Sequence, residues 1–240
     1  MSSKTTKIIH TFQFSSFTEQ KARRVFQLKR ELSSNLLDDW FGRVNQINIS
    51  EEELKVINRL QVKLNIYVNG WNEDELKWKF IGPLIELVNF DDHILEIASF
   101  TERPLGIKIK NTEIKGFVDL MVATGISAPE HPFFFIHEYK KEQEGSGDAV
   151  GQLLATMFVA QEHNKLPRSF SLFETKQRTF EHVPVYGVYV IGRFWFFVRL
   201  EKQNYHISNA FDSVKKEDLL KIFKLLKAQK EIIVSLVSEN

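Results

Sequence analysis

The hydrophobic period of this chain changes once, near residue 90, and that change constrains the fold more than any other feature. Before it, apolar residues recur at three- and four-residue spacing. Thr18 is placed to cap a helix running to about Trp40, with Val25, Leu28, Leu32 and Leu36 as its stripe. Ser50 and Glu53 have capping-box spacing and open a second helix toward Tyr67, with Leu54, Ile57 and Leu64 on one face and Gly70 at its end. Asn72 caps a third helix to about Asn89, which Pro83 is expected to kink.

After residue 90 the pattern becomes that of strands. Residues 94–100, 114–123 and 132–140 are β-branched or aromatic runs separated by turn residues. A helix over about 146–164 carries Val150, Leu153, Leu154, Met157 and Phe158. Strands at 184–191 and 194–200 flank Gly192-Arg193, a two-residue hairpin turn. A lysine-studded helix over about 213–238 closes the chain. Helices first, then β-β-β-α-β-β and a last helix, predict an α/β (α+β) fold: a mixed β-sheet flanked by helices, with an N-terminal helical extension in residues 1–70 and a C-terminal helix.

Composition removes whole classes of function. At 43% hydrophobic residues the chain has enough apolar material to repay the entropy of folding. No apolar run approaches the roughly 20 residues of a membrane span, so no membrane association is expected. The start, Met1-Ser2-Ser3-Lys4-Thr5, has no apolar leader core, which points to the cytoplasm. A net charge of +1 disfavours a strongly basic nucleic-acid binder but leaves room for a local basic groove. Zero cysteines exclude disulfides, thiolate metal sites and cysteine nucleophiles.

The residues that carry chemistry lie in the strands. Asp119 interrupts the greasy run Gly116-Phe117-Val118-Asp119-Leu120. Glu138 and Lys140 end the run from Phe133, and alternation puts them on one face with Phe134 and Ile136. Charges among buried apolar residues are normally paired or hold a metal. Two carboxylates suit a hard cation such as Mg²⁺, with Mn²⁺ as a substitute, rather than zinc. A neighbouring lysine can orient an attacking water and offset developing negative charge. Phosphodiester cleavage is the fitting reaction. The alternative is a structural ion pair at the sheet rim.

Asp119 followed by Glu138-Tyr139-Lys140 resembles the Asp…(Asp/Glu)-x-Lys signature of the PD-(D/E)XK nuclease superfamily, the restriction-endonuclease-like fold. Gln152, in Gly151-Gln152-Leu153-Leu154-Ala155, is similar to the glutamine that many members carry on the helix after the lysine strand. Asn72-Glu73-Asp74-Glu75-Leu76-Lys77 with Ile81-Gly82-Pro83-Leu84, and later Tyr186-Gly187-Val188 and Gly192-Arg193-Phe194-Trp195, resemble the branch near the nuclease domains of type I restriction motor subunits. The resemblance covers about residues 72–207, and Val118 stands where many members have proline. It implies a nuclease-like domain over 71–240 acting on DNA, with Asp119 and Glu138 holding Mg²⁺ and Lys140, Gln152 and Glu73 as catalytic residues. It also implies a role in restriction, defence or repair, with a homodimer or other restriction or repair subunits as partners. A member of the fold that binds nucleic acid or protein without cutting is the other expectation.

Glu75 completes an Asn72 capping box, which leaves Glu73 as the preferred helix carboxylate; its alternative role is to favour the helix N-terminus by charge. Gln152 is otherwise a solvent-facing helix residue. Gly145-Ser146-Gly147-Asp148-Ala149-Val150 fails as a dinucleotide fingerprint because Val150 holds the last glycine position and Glu142, Glu144 and Asp148 would repel a pyrophosphate; Lys141 and Glu142 read as loop. The histidines show no zinc-hydrolase spacing, and Ser171 lacks a nucleophile elbow. Six lysines in residues 215–230, and the Arg23-Arg24 and Lys29-Arg30 cluster, are either solvated faces or phosphate contacts.

Overall fold

Thr18 caps a helix, but a short one. The structure is a computed structural model describing residues 10–32, 35–140, 148–167 and 180–238. Strand β1 (His10–Gln13) is followed by α1 (Glu19–Phe26), whose Lys21 N–H donates to Thr18 Oγ1 at 3.1 Å. Gln27 then turns into the left-handed region, with φ at 57°, and the helix stops well before Trp40. The expected stripe does not form one buried face, since Leu28 is buried while Leu32 is 84% exposed. The chain instead forms β2 (Lys29–Arg30) and a separate α2 (Asp38–Gly42). The first 70 residues are therefore helical only in part.

Both predicted capping boxes are present. Helix α3 (Glu51–Tyr67) opens with Ser50 and Glu53 exchanging bonds at 3.2 and 2.7 Å. Asn72 and Glu75 do the same for α4 (Glu73–Leu76). The missing N–H of Pro83 is absorbed by a π turn, Lys77–Ile81, in which Gly82 N–H donates five residues back to Lys77 C=O. Helix α5 (Gly82–Val88) continues and ends on left-handed Asn89.

The strands are β3 (Ile97–Ile109), β4 (Thr112–Thr124) and β5 (Glu130–Lys140), then helix α6 (Ala149–Asn164) and strands β6 (Val185–Ile191), β7 (Phe194–Glu201), β8 (Asn204–Ile207) and β9 (Phe211–Asp212). Helix α7 (Lys216–Ser238) follows. β3, β4 and β5 pair as an antiparallel meander; α6 crosses over so that β6 pairs parallel to β5. β7 closes a hairpin on β6 through Gly192, at φ 57°, as the sequence predicts. β1 joins β4 and β2 joins β8, both in parallel. One large mixed sheet results.

Each face of the sheet is covered. On one, Trp40, Ile57, Leu84 and Leu226 pack with Phe135, Val188 and Phe197, and Trp40 Nε1 donates to Leu225 C=O at 2.8 Å. On the other, Leu153, Leu154 and Met157 of α6 pack with Met121 and Val198, and α1 packs over α6 through Phe26, with Phe17 just before the helix in the same cluster. Gly151 permits that crossing, because a Cβ there would lie 2.3 Å from Thr18 C. Asp148 ties it, accepting from Gly151 N–H at 3.0 Å and from Glu19 N–H at 2.7 Å. No helix among the described residues is long and apolar enough to cross a membrane.

Candidate active site

The site forms where β4 and β5 part. Their ladder runs from Thr124 only to Leu120, opposite His137. Asp119 is the next residue, and its carboxylate takes the place of a strand partner: Tyr139 N–H donates to Asp119 Oδ2 at 2.8 Å. On the β3 side the pairs Thr101–Leu120 and Arg103–Val118 flank an unpaired Glu102, whose φ of 49° is rare for a residue other than glycine. The meander is distorted on both sides of Asp119.

A lysine not singled out from the sequence meets this carboxylate. Lys77 Nζ lies 2.8 Å from Asp119 Oδ1, 2.9 Å from Glu73 Oε1 and 3.7 Å from Glu102 Oε1. Burial works against the charged lysine, but the hydrogen bonds and charges of Asp119 and Glu73 outweigh it and raise the Lys77 pKa. The four-residue spacing of Glu73 and Lys77 was the available signal, since it predicts one helix face, although such pairs usually lie in solvent.

Glu138 is the unusual group. It is only 2% exposed, and burial together with the charge of Asp119 pushes its carboxyl up to about 8. Lys140 Nζ approaches its Oε1 at 3.0 Å, yet that buried oxygen has no partner with hydrogen-bond geometry among the described residues. Lys140 also lies 4.0 Å from Glu73 Oε2. Burial opposes the Lys140 charge, and the neighbouring carboxylate of Glu138 more than restores it.

Asp119, Glu138, Lys140 and Glu73 are thus brought into one cluster, extended by Lys77. Glu75 remains in the cap, ion-paired with Lys79. Gln152 is half-buried on α6, and no hydrogen bond or ion pair joins its side chain to the other four. One expectation about the strand is corrected. The ladder shifts register between Val122 and Ala123, and this bulge puts Phe134 in the same apolar cluster as Phe135 and Tyr139, away from the expected shared face. His137 lies with Tyr139, whose hydroxyl is 2.8 Å from Nδ1, and burial pulls its pKa down to about 3. The loop residues Lys141 and Glu142, the glycines Gly145 and Gly147, and Ser171 lie outside the described residues.

No family model matches this chain, and no curated protein matches it.

No group of three or more acidic or histidine side chains arranged to hold a metal occurs among the described residues. A hard divalent cation does not require one, because Mg²⁺ commonly takes one or two protein carboxylates and keeps several waters. The buried Glu138 carboxyl beside the Asp119 charge fits such an ion, which would offset the repulsion between the two. The lysine patch of α7 is partly engaged elsewhere: Lys227 pairs with Glu53 at 2.7 Å and donates to Asn48 C=O, and Lys221 lies over the Phe211 ring.

Proposed function

We propose that this protein is a metal-dependent nuclease of the PD-(D/E)XK type that hydrolyses DNA phosphodiester bonds, in restriction, defence or repair. The observation that carries the reading is the Glu138 carboxyl, 2% exposed, beside the charge of Asp119 and with the Lys140 ammonium 3.0 Å from its Oε1. Two carboxylates held this close are costly to keep charged together, and a divalent cation between them would offset that cost. The chain order β3-β4-β5-α6-β6-β7, with a parallel β5–β6 pair, supports a restriction-endonuclease-like core within residues 71–240.

Asp119 and Glu138 would hold Mg²⁺ or Mn²⁺. When bound, the ion polarises a phosphoryl oxygen and acidifies a coordinated water. Lys140, a compact ammonium beside Glu138, orients the attacking water and stabilises charge that develops on the phosphate. Tyr139 N–H fixes the Asp119 carboxylate, and Glu73 draws Lys77 and Lys140 together. Gln152 meets none of these side chains and has no assigned step. DNA is the partner, and a homodimer or other restriction or repair subunits would supply target finding.

One observation favours a second reading, in which the fold binds nucleic acid or protein without cutting. Lys77 already neutralises Asp119 as an internal cation. Incubation of plasmid, linear duplex and single-stranded DNA with Mg²⁺ or Mn²⁺ decides between them. Wild-type protein is expected to cut, and Asp119→Asn to lose at least about 10²-fold in rate while remaining folded. A metal that binds the fold also raises that temperature. Absence of both cleavage and a metal-dependent shift would leave the second reading in place.

A further inference from the structure

Next to the carboxylate cluster lies a cavity of about 430 Å³ that shares Lys77 and Asp119 with it. One wall is the helix face carrying Asp74, Trp78, Ile81 and Ile85, at helical spacing carried through the π turn. The opposite wall is Thr101, Leu120 and Tyr139 from the three strands of the meander. The lining is mainly apolar, and its mouth carries an indole. Trp78 is 82% exposed, whereas Trp40, Trp71 and Trp195 are buried. Trp78 stacks on no other ring among the described residues.

Three properties define the occupant. It is flat and aromatic, because an open indole face beside an apolar slot favours a π-system. It is uncharged or a donor, because Asp74 and Glu102 line the slot and would repel a phosphate while accepting from amino groups. It is joined to something that reaches Asp119, because the slot and the cluster share that side chain. A nucleobase whose own backbone phosphate lies at the cluster meets all three conditions. A paired base cannot offer its face to the indole without leaving its duplex.

We propose that this cavity receives one unpaired nucleobase stacked on Trp78, so that the substrate is a strand with an unpaired nucleotide beside the bond to be cut: a single strand, a frayed end or a flap. This rests on the nuclease reading for its account of the cluster, but base binding is measurable without cleavage.

The test uses the full chain in Ca²⁺, with a short single-stranded oligonucleotide and its duplex as probes. Because Trp78 is the exposed tryptophan, stacking on it quenches intrinsic fluorescence. Strong quenching by the single strand and little by the duplex is expected. Trp78→Ala should bind the single strand about 10-fold or more weakly, with Trp78→Phe retaining most of the affinity. Duplex affinity and melting temperature should not change, since the side chain is already in solvent. Equal affinity of wild type and Trp78→Ala for the single strand, or equal quenching by both probes, overturns the proposal. Trp78-dependent binding by a protein that cuts no DNA upholds the base site and removes the nuclease reading. Cleavage of single strand and duplex at equal rates by both wild type and Trp78→Ala does the reverse.

Discussion

Lys77 Nζ and Asp119 Oδ1 are 2.8 Å apart, and the same ammonium lies 2.9 Å from Glu73. A cation from the helix thus occupies one side of the carboxylate proposed to hold a metal. Lys77→Met should remove that cation and leave Asp119 and Glu73 to repel each other. These side chains are 14–29% exposed, so the cost is set at about 1–3 kcal/mol rather than the larger value for a fully buried pair. Melting should fall by several degrees without metal, and Mg²⁺ should raise it more in the variant than in wild type. Equal metal-induced shifts would show that Lys77 and the metal do not compete.

Glu138 sets the alkaline limb of stability. Its folded pKa of about 8 lies above the ordinary 4.5, so the folded state keeps a proton that the unfolded chain releases. The stabilisation is complete below the ordinary value and is lost as pH rises through about 8. Glu138→Gln should therefore melt above wild type at alkaline pH without metal, with the gap closing toward about pH 5. His137 acts in the opposite direction. Its folded pKa of about 3 lies below 6.5, so its contribution is complete above 6.5 and falls away in acid. A Glu138→Gln variant no more stable than wild type at high pH would contradict this account of the buried carboxyl.

Lys140→Ala should retain DNA binding in Ca²⁺ while single-turnover cleavage in Mg²⁺ falls by roughly 10²–10³. Lys140→Arg keeps the charge but spreads it over a planar fork, so it should also be slow. Unchanged cleavage by Lys140→Ala would remove this residue from the mechanism.

Gly151→Val tests the fold independently of the site. A Cβ at that position meets the backbone of residues 17–18, 2.3 Å from Thr18 C and 2.4 Å from Phe17 O, and backbone cannot rotate away. Destabilisation of about 1–3 kcal/mol or more is expected in thermal melting, with the metal-dependent shift retained if the chain still folds. Unaltered melting would mean that α1 does not pack on α6 as described.

Local signals were the ones that could be read. The Ser50–Glu53 and Asn72–Glu75 boxes, the Gly192 hairpin and the strands around 114–123 and 132–140 depend on residues near one another in the chain and stand close to where the sequence places them, whereas the strand expected at 94–100 instead runs Ile97–Ile109. Asp119 and Glu138 were visible because a charge in an apolar run is conspicuous. The end of α1 was not visible. Gln27 turns because Lys29 and Arg30 pair with β8, a partner far along the chain that local spacing cannot reveal. Lys77 was hidden differently: its pairing with Glu73 looks like any exposed helix pair until the splitting of β4 and β5 brings Asp119 beneath it. The shift of Phe134 arises from a bulge, which alternation alone does not encode.

The parallel pairing of Lys29–Arg30 with Asn204 and Tyr205 has a consequence for biosynthesis. Lys29 N–H donates to Gln203 C=O at 2.7 Å and Glu31 N–H to Tyr205 C=O at 2.9 Å, so an early segment is anchored by one translated much later. While a ribosome is still making the intervening chain, Lys29, Arg30 and Glu31 lack the strand that finally pairs with them, whereas Phe26 stacks on Phe158 of α6, which is made earlier. A nascent chain stalled before residue 204 should therefore leave the backbone of residues 29–31 open to proteases. Release of the later strands lets those early residues lock into place, making completion of the sheet a late event in the life of the nascent protein.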